Sequence, residues 1–154
     1  MITLPRTAMG VFALTLRLLL GALFIYTGWM KAADPGAFLL SVRSFQLVQD
    51  PYAAWIAMGL PWLEILAGAA LVTGLWVEGG LAVIAGMLAA FLWALVYSWQ
   101  RGLDIDCGCF GKEETTFSYG RRIAQDIALL AVAVGLLVHR RIQLRRRASL
   151  SRRP

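Results

Sequence analysis

The sequence has few charged residues for a chain of 154 amino acids. Only 16% of its residues are charged, whereas about 25% are charged in an average soluble domain. Hydrophobic residues make up 59% of the chain, and a soluble domain of this size leaves about a third of its unfolded-chain surface in water. One small soluble core cannot cover so much apolar surface. The composition therefore excludes an ordinary soluble domain and favours a protein surrounded by lipid.

Four long apolar segments carry most of this hydrophobicity. We predict membrane-spanning helices over four ranges, about residues 9–30, 52–77, 80–99 and 119–138, because each approaches the ~20 apolar residues that a span needs. No polar stripe recurs in them at helical spacing, which argues against a soluble bundle. The first apolar run is too long for a cleaved signal peptide and no cleavage motif follows it. The predicted fold is all-α, a four-transmembrane-helix bundle over residues 1–140 with a basic tail at 141–154.

Arginine is concentrated after the fourth span, and this predicts the orientation of the chain. Cytoplasmic loops of membrane proteins carry an excess of Lys and Arg. The C-terminal segment carries seven arginines, which are Arg140, Arg141, Arg145, Arg146, Arg147, Arg152 and Arg153. With four spans, both termini are then cytoplasmic and the two longer loops face outward. In a bacterium this means a multi-pass protein of the inner membrane whose longer loops reach the periplasm.

The first outer loop has the pattern of a short helix. Asp34 is a suitable N-cap and Pro35 suits the first helical position. Apolar residues then recur at near-helical spacing as far as Val48, before Asp50–Pro51. The pattern predicts a short amphipathic helix on the outer membrane surface. Two roles stay open for it: it shelters the neighbouring cysteine loop, or it only connects two spans.

Small and aromatic residues predict how the helices pack. Two glycine pairs lie seven residues apart and so share a helix face: Gly21 with Gly28, and Gly79 with Gly86. Small faces of this kind let helix backbones approach closely in lipid. Four of the six tryptophans fall near span ends, as expected for an interfacial belt. Trp62 and Trp93 lie deeper, so they either have an ordinary packing role or line a ligand pocket.

Three ionisable residues fall inside the predicted spans: Arg17, Glu64 and Asp126. Such residues are rare in membranes, and each is a functional-site hypothesis. Arg17 lies 14 residues from Lys31, or about 21 Å along its helix, and Glu64 lies 12 residues from Tyr52, or about 18 Å. This depth arithmetic predicts an ion pair between Arg17 and Glu64.

Two interpretations of these charges stay open. The first is that the pair between Arg17 and Glu64 fixes helix register. The second is that the charged groups relay protons or hold a polar ligand. Asp126 lies only about 10 Å below the outer end of the fourth span, and either Arg121 or Arg122, about one helical turn away, is a potential partner.

The only two cysteines, Cys107 and Cys109, lie in the outer loop "DIDCGCFGKEE" between the third and fourth spans. On the oxidising side of the membrane they can form a strained, exchangeable disulfide, although the flanking acidic residues disfavour the thiolate. They can instead bind a soft metal such as Cu(I), or be structural. A disulfide between them would stabilise the fold only weakly, because the chain-entropy model gives a three-residue loop only ~1.6 kcal/mol of stabilisation. A closed zinc site needs four ligands, but the single histidine, His139, is predicted on the other side, and Asp104 and Asp106 would make a poorly matched set with the thiolates.

Several segments together resemble a known family. "RLLLGALFIYTGWMKAADPGAF" in the first span, "LPWLEILAGAALVTGL" in the second, and "DCGCFG" before a basic fourth span are similar to the DoxX-like membrane proteins. Within these, the chain most resembles the redox-associated branch of the methylamine-utilisation protein MauE, over about residues 10–140. By this resemblance, Cys107 and Cys109 match the family's cysteine pair, and Glu64 matches its Pro-x-x-Glu element. Arg17 and Lys31 match basic positions of its first span.

The resemblance implies a membrane thiol–disulfide protein that works with a periplasmic thioredoxin-like protein. Its client would be a secreted redox enzyme, with methylamine dehydrogenase as the implied example. Whether the chain is itself an oxidoreductase stays open. One hypothesis for the electron acceptor is a membrane quinone held by Arg17, Glu64 and Asp126; another protein is the alternative. The competing class is a binding protein: a soft-metal carrier using Cys107 and Cys109, or a non-catalytic scaffold for a redox complex.

Overall fold

The computed structural model describes residues 8–102 and 119–151, which form five helices in chain order: α1 Ala8–Ala33, α2 Pro35–Ser44, α3 Tyr52–Thr73, α4 Val77–Gln100 and α5 Tyr119–Ser151. Four of them, α1, α3, α4 and α5, are long and apolar enough to cross a membrane. The predicted all-α bundle with a short helix after the first span is therefore confirmed. The basic segment that follows residue 140 continues α5 as helix to Ser151.

The backbones of α1 and α3 touch, and glycine permits it. A Cβ atom at Gly28 would lie 2.8 Å from the carbonyl oxygen of Pro61, and one at Gly68 would lie 2.6 Å from that of Gly21. These contacts place Gly28 beside Pro61 and Gly21 beside Gly68, so the helices run antiparallel in a fixed register. The predicted role of Gly21 and Gly28 is confirmed. Van der Waals packing between the closely spaced helices is the main attraction here, because the hydrophobic effect does not drive apolar helices together in lipid.

The prediction that Gly79 and Gly86 form a closely packed face of α4 was wrong. A Cβ atom at Gly79 or Gly86 would meet nothing within 4 Å in the described parts of the chain. Gly80 makes the approach instead, since its Cβ would lie 2.6 Å from Leu71 Cδ1. A seven-residue spacing identifies two glycines on one face, but it cannot say which face of α4 meets α3.

Aliphatic side chains fill the interior, and the tryptophans point outward. The main buried cluster consists of Leu20, Phe24, Ala67, Leu71, Val77, Leu81, Ile84, Leu88, Ala133 and Leu136. Trp62 and Trp93 are 59% and 62% exposed. This exposure does not fit a ligand pocket between helices, which was one of the two roles expected for them, and the Trp93 ring instead stacks on that of Tyr97 at 5.5 Å. Both tryptophan rings lie on the bundle's outer surface, where lipid is the solvent.

Left-handed backbone positions set the helix ends. Gly74 at φ 80° ends α3, and Trp76 at φ 51° precedes α4. The predicted spans 52–77 and 80–99 place the connection at about residues 78–79, but it lies at Gly74–Trp76, and Val77–Gly80 form the first turn of α4. Glycine, the residue type at position 74, adopts a positive φ with the least steric strain.

The helix after the first span begins as predicted and ends earlier. The Asp34 carboxylate accepts a hydrogen bond from the backbone N–H of Ala37 at 2.9 Å, and Pro35 holds the first helical position. The helix stops at Ser44, because Gln46 adopts φ 51°. The end of the bundle where α1 finishes and α2 lies is called here the α2 end. The opposite end, at Gly74–Trp76, is the α3–α4 end.

We predict that Gly68→Ala destabilises the protein by about 1–3 kcal/mol, the usual cost of overpacking. The added methyl group would collide with the Gly21 backbone, which cannot move without separating α1 from α3. Thermal unfolding of the purified protein in detergent measures the effect. Gly86→Ala is the matched control, since its methyl group meets open space and alanine is the better helix former. Equal melting temperatures for the two variants would contradict the glycine contact.

Candidate functional site

A buried ion pair joins α1 to α3 near the α2 end. Lys31 Nζ lies 2.5 Å from Glu64 Oε1, and the two side chains are only 13% and 8% exposed. Lys31 is in the last turn of α1, whereas Glu64 is in the middle of α3. The second carboxylate oxygen, Glu64 Oε2, is buried and has no hydrogen-bond partner within residues 8–102 and 119–151. The pair thus keeps an acceptor atom that nothing described satisfies.

Helix α2 covers this ion pair from one side. The Phe38 ring lies 5.3 Å from Lys31 Nζ, which is within cation–π range. At its other end α2 leads into Phe45, whose ring packs edge-on against Phe91 of α4 at 6.0 Å. Phe45 also joins Leu95 in a second buried cluster. The short helix is therefore tied both to the ion pair and to the far helices, which gives it a packing role beyond that of a connector.

The predicted pairing of Arg17 with Glu64 was wrong. Glu64 faces Gly28, whereas the guanidinium of Arg17 lies near Gly74 at the α3–α4 end. Eleven residues, or about 16 Å of helix, separate Arg17 from Gly28. The depth arithmetic failed because it treated Lys31 and Tyr52 as level. In the structure α3 begins beyond the level of Lys31, so that Glu64 meets the end of α1.

Asp126 is buried between the two apolar clusters. It is 5% exposed, and its Oδ2 atom has no hydrogen-bond partner in the part of the chain that the structure describes. Ile123, one turn before it, packs against Phe45 and Leu95, and Leu129, one turn after it, packs against the main core. Its pairing with Arg121 or Arg122 stays a prediction. A carboxylate in such surroundings is costly in its charged form.

Cys107 and Cys109 lie outside the described residues. The residues that flank their segment are described, and they fix where it attaches. Because α1 and α3 are antiparallel and α3 turns directly into α4, α4 finishes and α5 begins at the α2 end. Residues 103–118 therefore connect two helices at the end where Lys31 and Glu64 pair. The fold brings these two residues and Asp126 toward that end, whereas Arg17 lies at the other.

Sequence reasoning missed Lys31 as the partner of Glu64, although a signal was present. Gly28 and Lys31 are three residues apart and share a face of α1. If Gly28 contacts α3, Lys31 must face α3 as well. Phe38 carried no comparable signal, because its place over the ammonium depends on how α2 folds back.

We predict that Glu64→Gln costs about 3–5 kcal/mol of stability, since it leaves the Lys31 ammonium buried without a counter-charge. Adding Lys31→Met should restore much of the loss, because both charges are then gone. Unfolding of the two single variants and the double variant measures the coupling. The exposed pair of Arg43 and Asp50 is the control, where Asp50→Asn should cost less than about 1 kcal/mol. Additive losses for Lys31 and Glu64 would show that the pair is not coupled.

Comparison with known proteins assigns the family. The model of the methylamine utilisation protein MauE matches residues 9–139. The match begins in α1, includes the segment with Cys107 and Cys109, and ends within α5. No curated protein and no solved structure matches the chain. A match over most of the sequence, on a bundle of four membrane-spanning helices, shows that this multi-pass membrane protein belongs to the MauE family of methylamine utilisation proteins.

Proposed function

We propose that this chain is a thiol–disulfide redox protein of the bacterial inner membrane, with both termini in the cytoplasm. It would support disulfide formation or maturation of an extracytoplasmic redox enzyme, together with a periplasmic thioredoxin-like protein. The observation that carries the proposal is the MauE family match, which includes the sequence positions of Cys107 and Cys109. The helices on either side of that segment, α4 and α5, end and begin at the α2 end.

The proposed chemistry is disulfide exchange. A client thiolate attacks the Cys107–Cys109 disulfide and forms a mixed disulfide, which the second client thiol resolves. The client gains a disulfide and this chain becomes a dithiol. The disulfide of the thioredoxin-like partner then reoxidises the dithiol through the same two steps. Each exchange moves two electrons and two protons between the paired proteins, so the partner's disulfide is the only oxidant required.

A quinone held jointly by Arg17, Glu64 and Asp126 does not fit the structure. Arg17 lies at the α3–α4 end, and Glu64 is paired with Lys31 near the α2 end. Trp62 and Trp93 face outward, so they do not line an interior pocket. We therefore assign the electron acceptor to the protein partner.

Glu64 and Asp126 are the buried groups that we propose for proton transfer during thiol–disulfide exchange. Each carries a buried carboxylate oxygen without a hydrogen-bond partner among the described residues. Thiol–disulfide exchange releases and takes up protons, because the thiolate is the attacking species. Asp126 is the stronger candidate, because Glu64 already balances the charge of Lys31.

We predict that replacing either cysteine by serine traps a mixed disulfide with the thioredoxin-like partner, because the resolving thiol is absent. The double variant Cys107→Ser/Cys109→Ser should form none and should fail to mature the client. Alkylation with a mass tag, read in membranes held at different redox poise, measures the thiol state. An impermeant thiol reagent added to intact spheroplasts reports on which side the cysteines lie.

Three outcomes would contradict the redox assignment. Full client maturation by the double variant would indicate a scaffold. Protection from alkylation that a chelator removes would indicate a soft-metal site. Labelling only from the cytoplasmic side would reverse the proposed orientation.

We predict that Asp126→Asn keeps or raises thermal stability, because the amide removes a buried charge that lacks a hydrogen-bond partner at Oδ2. The same variant should slow reoxidation of the chain by its partner about 10²-fold, the lower range for a positioned acid or base. Stopped-flow or quenched alkylation in proteoliposomes measures the rate. Asp50→Asn, on the exposed surface, is the matched control. An unchanged rate for Asp126→Asn would remove Asp126 from proton transfer.

A further inference from the structure

A pocket of about 400 Å³ lies at the α3–α4 end, between the first turn of α4 and the distal part of α5. It is lined by Trp76, Val77, Glu78, Gly79, Arg140 and Leu144. The pocket is remote from the cysteine segment, because Arg140 lies 21 residues, or about 31 Å of helix, from Tyr119. The thiol chemistry proposed above makes no use of it.

Two opposite charges line this pocket without bonding to each other. Glu78 Oε1 and Arg140 Nε are both buried, and neither has a hydrogen-bond partner in the described parts of the chain. No ion pair within 4.0 Å joins them there. Buried polar atoms without partners are costly, and more so when charged. Together they call for a ligand that carries both an acceptor and a positively charged donor.

Arg17 adds a second cation at this end of the bundle, where its Nη2 atom lies 3.7 Å from the position of a Cβ atom at Gly74. Its Nε and Nη2 atoms are buried and unbonded within residues 8–102 and 119–151. Arg140 is near enough for the two like charges to interact. The first backbone N–H groups of α4 also have no side-chain cap, since Trp76 supplies none. Guanidinium groups and helix N-termini are both suited to a phosphate.

The position of the pocket indicates a lipid rather than a soluble molecule. It opens where the apolar helix α4 begins, and the ends of membrane-spanning helices meet the lipid headgroups. Trp76 is 88% exposed at its edge, and tryptophan is enriched at the membrane–water interface. Leu144 supplies a further apolar wall beside the charged groups.

We propose that this pocket binds the headgroup of a phospholipid with a primary ammonium, the phosphoethanolamine type. The phosphate accepts hydrogen bonds from Arg140, with Arg17 adding positive charge, and the ammonium donates to Glu78. A primary ammonium has three N–H donors, whereas the trimethylammonium of a choline lipid has none. An anionic glycerol headgroup brings no cation to Glu78. The site is independent of the redox proposal.

The test is native mass spectrometry of the full-length protein released from nanodiscs. Each nanodisc contains phosphatidylethanolamine, phosphatidylcholine or phosphatidylglycerol with the same acyl chains. We expect about tenfold greater retention of the ethanolamine lipid, as one charge-assisted hydrogen bond provides. Glu78→Gln should abolish this preference, and Arg140→Gln should reduce retention of the ethanolamine lipid. Arg141→Gln, an exposed neighbour with the same charge change, should leave both unchanged.

A lipid series keeps the proposal testable if a variant fails to fold. Mono-, di- and trimethylation of the ethanolamine nitrogen should lower retention by the wild-type protein stepwise as N–H donors are lost. Equal retention of all headgroups would overturn the proposal. Strongest retention of phosphatidylglycerol, unaffected by Glu78→Gln, would instead show a plain phosphate site. Soluble glycerophosphoethanolamine bound as tightly as the lipid would overturn the lipid assignment.

Discussion

The contact between the backbones of α1 and α3 is the constraint on which the rest of this structure depends. Gly21, Gly28 and Gly68 bring the two helices together without intervening side chains. This contact prevents α1 from sliding along α3, because each glycine fits only opposite a particular backbone carbonyl of the other helix. The register then decides which charges meet. Lys31 contacts Glu64 because Gly28 packs against Pro61. The same register places Arg17 at the other end of the bundle.

The polar groups of the bundle divide between its two ends. The α2 end holds the Lys31–Glu64 pair under Phe38, with Asp126 in the adjoining helix and the attachment points of the cysteine segment. The α3–α4 end holds Arg17, near Gly74, and a pocket lined in part by Glu78 and Arg140. The buried core between them is mostly aliphatic, with Phe24 as its aromatic member. If both proposals hold, the thiol chemistry and the lipid site lie at opposite ends of the bundle.

Family membership sets the biological context of these groups. Membership in the MauE family concerns methylamine utilisation and a membrane location. The proposed thiol chemistry adds a reason for a buried carboxylate in α5, the helix that follows the cysteine segment in the sequence. Asp126 lies between two apolar clusters, where a charged side chain destabilises the fold and is therefore usually functional. Burial of this kind is a common sign of function in membrane helices.

The sequence by itself determined the helical class, the four spans, the Asp34–Pro35 helix start and the ionisable residues within the spans. Each depends on local composition or on spacing along one helix. It did not determine the partner of Glu64, the contact face of α4 or the outward direction of Trp62, since these depend on how far one helix is shifted or rotated against another. Because a membrane helix is apolar on all sides, its sequence does not indicate which face contacts the neighbouring helix. Only the tertiary structure, through the glycine contacts, decided it.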